Sequence, residues 1–109
     1  MKVILGYTKI QDFSLNYFAG LLTEEKRLRL NYNTISSLPT NLFKDLTKLR
    51  EIHIVKNNLK ILSKEIFQFN KKLEKIDLRK NELEKIDAEL FDGMENLKYV
   101  KLNMNKWPP

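Results

Sequence analysis

The chain of 109 residues contains no cysteine, which excludes disulfides, thiolate nucleophiles and cysteine-ligated metal. Its single histidine, His53, has no second imidazole with which to build a zinc site. Nor does His53 have a motif to serve: G-x-S-x-G, H-E-x-x-H and a phosphate-binding glycine loop are all missing. Glycine occurs three times, at 6, 20 and 93, and proline three times, at 39, 108 and 109, so no flexible linker divides the chain. No apolar run approaches the roughly 18 residues of a membrane-spanning helix. The opening MKVILGYTK lacks a long apolar stretch and a small-residue cleavage site, and does not read as a signal peptide. Asp87 with Glu89 and Asp92 with Glu95 lack the alternating carboxylates of a calcium loop. These absences argue against an enzyme, and no cofactor or metal is expected.

What is present is repetition. Leu49, Ile52, Ile54, Asn57, Leu59, Leu62 and Phe67 return 24 residues later as Leu73, Ile76, Leu78, Asn81, Leu83, Ile86 and Phe91. The same pattern precedes them as Leu28, Leu30, Asn33, Ile35, Leu38 and Phe43, and follows as Leu97, Val100, Leu102, Asn105 and Trp107. Val3, Leu5, Ile10, Phe13, Phe18 and Leu21 begin the series one residue longer, with Thr8 where later copies carry Asn. The repeats are read as 1–24, 25–48, 49–72, 73–96 and a partial 97–109. A fixed period of this length means units that bury their apolar faces on one another.

Within each unit, 27–32, 51–56, 75–80 and 99–104 alternate apolar with polar residues, the period of a half-buried strand. The stretches 63–69 and 87–93 read as single helical or 3₁₀ turns, with Ser63, Asp87 and Thr40 as caps. Phe18, Phe43, Phe67 and Phe91 form a periodic column that reads as core. Asn70 stands in a second column otherwise held by Leu21, Leu46 and Met94, and Phe69 is expected to swing in as its substitute.

The spacing L-x-x-L-x-L-x-x-N-x-L, with Leu38-Pro39 and Phe43 as an L-P-x-x-x-F unit, resembles the 24-residue class of the leucine-rich-repeat family. The resemblance covers nearly the whole chain. It implies an α/β fold: a right-handed solenoid, or horseshoe arc, over residues 1–109, with a parallel sheet of about five short strands. The convex segments should be irregular or short-helical. It implies that each periodic Asn sits inside a turn and hydrogen-bonds backbone groups left unpaired there. It implies non-catalytic binding on the concave sheet face, and a secreted or cell-surface setting. The missing cysteines pull against that setting and leave the cytoplasm open. The end, LNMNKWPP, resembles the entry into a C-terminal cap, so either the chain is part of a longer one or Trp107 and the prolines close the stack.

Lys and Arg number 20 against 14 Asp and Glu, a net of +6, and the pI is near 9.5. The register of the repeats places Lys2, Arg27, Arg29, Lys56, Lys75, Arg79, Lys80 and Lys101 on the outward face of the sheet, against Glu51 and Asp77. That face therefore carries the whole formal charge excess. Tyr7, Tyr32 and Tyr99 share it, as do His53, Ile4, Gly6, Asn31, Val55, Asn103 and Met104. The candidate ligand-binding residues are Arg27, Arg29, Tyr32, His53, Lys56, Lys75, Asp77, Arg79, Lys80, Tyr99 and Lys101. Tyr and Arg are frequent interface anchors. The competing account is that these cations are solvated strand residues that discourage edge pairing. His53 either tunes binding near neutral pH or is a solvated strand residue.

The leading expectation is a module that holds an acidic protein, peptide or glycan on the sheet face. The alternative is a binder of nucleic acid or an anionic membrane surface, using the same cations on phosphates. Weak self-association through the open ends of the sheet is also expected.

Overall fold

Each alternating segment condenses into a strand of three residues. The computed structural model describes residues 2–4 and 24–107, with backbone alone for 2–4. The expectations for Gly6, Tyr7, Thr8, Phe18 and Leu21, and for Pro108 and Pro109, lie outside the described residues. The strands are β1 (Lys2–Ile4), β2 (Arg27–Arg29), β3 (Glu51–His53), β4 (Lys75–Asp77) and β5 (Tyr99–Lys101). They form one parallel sheet in sequence order, so each repeat adds a strand beside the last. The register is constant. Val3, Leu28, Ile52, Ile76 and Val100 make one row, and Ile4, Arg29, His53, Asp77 and Lys101 another. This is the solenoid that the resemblance to leucine-rich repeats implies.

The expected strands run three residues further than those observed, and the backbone explains why. The sixth residue of each segment, Tyr32, Lys56, Lys80 or Met104, has φ of 58, 56, 59 and 61 degrees. A positive φ rotates the chain out of the sheet, at a steric cost for a residue with a Cβ. Inter-strand bonding persists up to that point: Leu30 N donates to His53 O at 2.7 Å and Ile54 N to Asp77 O at 2.8 Å.

The periodic Asn residues then take over. Asn81 Nδ2 donates to Ile54 O at 2.7 Å and to Leu78 O at 3.1 Å, while its Oδ1 accepts from Leu59 N at 3.1 Å. Asn57 repeats the arrangement on Leu30 O (2.9 Å) and Ile35 N (3.1 Å), and Asn105 on Leu78 O (3.0 Å) and Leu83 N (3.0 Å). Each amide thus satisfies buried backbone groups of its own repeat and of the one before, where an orphaned group costs about 1–3 kcal/mol.

The core is one continuous column of the middle strand residues and their followers: Leu28, Ile52 and Ile76 with Leu30, Ile54 and Leu78 are fully buried. The convex side is built of tight turns. The only helix among the described residues is a 3₁₀ turn, Ala88–Phe91, capped by Asp87, whose Oδ1 accepts from Glu89 N at 2.9 Å. Ser63 Oγ caps the preceding copy through Glu65 N at 3.2 Å. Phe43 and Phe67 stack at a centroid distance of 6.1 Å and 14° between planes, both fully buried, with Phe91 partly buried against the same core.

The expectation for Asn70 is corrected. Phe69 does not replace it and stands 49% exposed, while Asn70 is fully buried. Its Nδ2 donates to Phe43 O and to Leu46 O, each at 2.9 Å, so the polar residue belongs in the apolar column because two carbonyls point there. Trp107 packs on the last repeat and donates from Nε1 to Leu102 O at 2.9 Å.

Candidate concave-face binding site

The sheet face is organised by two carboxylates. Glu51, on β3, lies 3.0 Å from Arg27 Nε, 3.2 Å from His53 Nε2 and 4.0 Å from Lys75 Nζ. Pairing with His53 requires a proton on Nε2. Burial pushes the Glu51 carboxyl up, but the His53 hydrogen bond and the charges of Lys75 and Arg27 outweigh it and hold the group below the usual range. Asp77, on β4, is gripped at both oxygens by Arg79: Nε to Oδ1 at 2.8 Å and Nη2 to Oδ2 at 2.7 Å. Arg79 N also donates to Oδ1 at 3.2 Å. Burial again pushes up, and the Arg79 hydrogen bonds and charge again win, keeping Asp77 low. Its His53 neighbour sits with Nδ1 3.9 Å from Asp77 Oδ2.

The face is therefore less basic than its composition. Arg27 and Arg79 are neutralised by carboxylates and Lys75 lies near one. Arg29, Lys56, Lys80 and Lys101 have no carboxylate partner among the described residues. Lys101 Nζ lies 5.0 Å from the centre of the Tyr99 ring and Lys75 Nζ 6.0 Å, both within cation–π range.

Seven of the eleven candidate residues border one open depression of about 280 Å³: Arg29, Tyr32, His53, Asp77, Arg79, Tyr99 and Lys101, with Asn31 and Val55. Arg27, Lys56, Lys75 and Lys80 lie outside it. Lys56 and Lys80 are exposed at the left-handed bends that end their strands. Three readings of the face are corrected. Val55 is 8% exposed and Asp77 2%, so both lie beneath longer neighbours instead of facing solvent. His53 is not a solvated strand residue: its side chain is 13% exposed and held between Glu51 and Asp77.

Sequence reasoning missed a second surface. Ile61 is 77% exposed, between two flank depressions of about 450 and 590 Å³ that it shares with Lys60 and Glu84. Ser37 and Lys85 occupy its position in the adjacent repeats, and that break in the polar column is the signal that could have found it.

The chain belongs to the leucine-rich-repeat family: the family model described as Leucine rich repeat matches residues 1–59 and 47–106. It is similar to a solved structure titled as the leucine-rich repeat domain of APL1B, at 26% identity and a TM-score of 0.91. The match covers 94% of this chain and 30% of that one, so this chain spans less than a third of that protein. No match was found among curated proteins. Domains of this family and fold are in general non-catalytic protein-interaction modules, and no described helix is long and apolar enough to cross a membrane.

Proposed function

We propose that this chain is a binding module that holds an acidic segment of a protein partner on its concave sheet face. The observation that carries the reading is the convergence of Arg29, Arg79 and Lys101 with Tyr32 and Tyr99 around one depression. Guanidinium and ammonium groups there supply attraction for carboxylates. The two phenol rings supply broad, rigid contact area. The exposed cations Lys56 and Lys80 extend the field along the rim. A protein is favoured over a phosphate backbone because domains of this family are in general protein-interaction modules.

The two kinds of contact respond differently to salt. Charge raises the association rate and fades as the Debye length shrinks to about 3 Å at 1 M. Tyrosine burial slows dissociation and persists. A partner captured from the source organism should lose affinity for Lys80→Glu with Lys101→Glu steeply at low salt and little at high salt. Tyr32→Ala should weaken it at both. The control is Lys44→Glu with Lys64→Glu on the convex side. Equal losses from control and face would refute the site. Tight binding of duplex nucleic acid with a steep salt slope and no tyrosine dependence would replace this reading with a phosphate-binding one.

A further inference from the structure

Asp77 is out of place in a site for an acidic ligand. By charge alone it should repel the partner, yet it lies at the centre of the face. Its surroundings show why it does not. Its side chain is 3% exposed and both oxygens are taken by Arg79, so a ligand meets the guanidinium and not the carboxylate. The fork occupies Arg79 Nε–H and one N–H of Nη2, and a guanidinium has five N–H donors, so three remain. Their direction is fixed, because a bidentate pair holds the guanidinium plane rigid.

Arg29, two strands away in the Asp77 row, is the opposite case. It pairs with no carboxylate among the described residues, and its Nε is enclosed without a hydrogen-bond acceptor. Both arginines border the same depression. One is pre-aimed and one is unmatched.

We propose that Asp77 is a positioning residue, a buried carboxylate that holds Arg79 over the depression so that Arg79 and the unmatched Arg29 take one carboxylate of the bound segment between them. This rests on the functional reading above and sharpens it to a single anionic group at a defined place. An ordered Arg79 has already lost the rotamer freedom that a free arginine side chain would lose on binding, which is how preorganisation raises affinity.

The test uses the full chain and a fluorescein-labelled octaglutamate peptide, read by anisotropy at low salt. Asp77→Asn adds a unit of positive charge to the protein, so a pure field effect predicts tighter binding. Positioning predicts the reverse: weakening of about fivefold or more, the scale of coupling between contacting side chains. The sign should then change when Arg79 is absent. In an Arg79→Ala background, Asp77→Asn should leave affinity unchanged or improve it, since only repulsion is left to remove. Tightening in both backgrounds would overturn the proposal in favour of the field. Weakening in both would overturn it in favour of a merely structural Asp77. A measurement on the unsubstituted protein needs no variant to fold: the Arg79 side-chain Nε–H resonance should be distinct, slow to exchange and shifted by the peptide. A resonance averaged with those of exposed arginines would refute the positioning. Failure of the peptide to bind the unsubstituted chain at all would instead bring down the functional reading, and the carboxylate clamp with it.

Discussion

Replacing Asn81 tests the logic of the solenoid most directly. Asn81 is 5% exposed, and its amide holds Ile54 O, Leu78 O and Leu59 N. Leu78 O also accepts from Asn105 at 3.0 Å, so Asn81→Ala leaves it one partner. Leu59 N and Ile54 O lose theirs. Two buried backbone groups at about 1–3 kcal/mol each give a loss of about 2–6 kcal/mol. That is a large fraction of the roughly 5–15 kcal/mol expected of a chain this size. Asn105→Ala should be milder, about 1 kcal/mol, because Leu102 O keeps its bond from Trp107 Nε1 and water can reach a half-buried site. Asn81→Asp separates donor from acceptor. The Leu59 N bond survives, but the new carboxylate faces three carbonyl oxygens, those of Ile54, Leu78 and Arg79, and its pKa rises in the folded state. A raised carboxyl pKa brings no penalty below the unfolded value of about 3.9 and the full penalty above the folded value, so this variant should become less stable as pH rises from about 4. Urea denaturation of the three variants across pH 3–7 would measure all of this. Equal losses at 81 and 105, or a flat pH profile for Asn81→Asp, would refute the account of the amide ladder.

Phe67→Ala should cost about 3–5 kcal/mol by chemical denaturation, since Phe67 is fully buried and stacked on Phe43. Asn70→Leu, which restores the apolar column, should cost no more than about 1 kcal/mol, because the carbonyls of Phe43 and Leu46 each keep a backbone donor, Leu46 N at 3.0 Å and Leu49 N at 3.1 Å. Acidification should destabilise the sheet face. Asp77 and Glu51 are held below their ordinary values of 3.8 and 4.5, so the stability they contribute is complete above those values and lost as pH falls through the lowered ones. Melting temperature against pH should show this slope, and Asp77→Asn should flatten it.

The repeat pattern made the architecture legible because each apolar position is forced. A strand row such as Leu28, Ile52 and Ile76 can lie only inside a stack that repeats every 24 residues. Asn57 and Asn81 were legible for the same reason: a polar residue kept at an apolar interval has a hydrogen-bonding duty. Asn70 broke the rule, since nothing in a sequence says that two carbonyls converge on its position. The site was legible in outline and not in depth. Alternation tells which face a residue takes, so Val55 and Asp77 were placed on the sheet face. Whether a short side chain there is covered depends on the longer ones beside it. Nor does a tally of charges know that Arg79 folds back on Asp77 two residues earlier, or that Arg27 meets Glu51 one strand over. Those pairings turn a broad basic surface into a few unmatched cations.

The constant register of the five strands makes the sheet a ruler with a pitch of its own. Residues in one row recur at the strand spacing, about 4.8 Å, whereas an extended chain turns a side chain to the same side about every 6.6 Å. The two scales fall out of step at once and return after three strand spacings, about 14 Å, against four residues of extended chain, about 13 Å. Arg29 and Lys101 are separated by that interval in one row. On the proposed reading, a segment lying along the stack with acids four residues apart meets both cations together. On that reading, the register of the sheet, and not the number of charges alone, decides which acidic sequences fit.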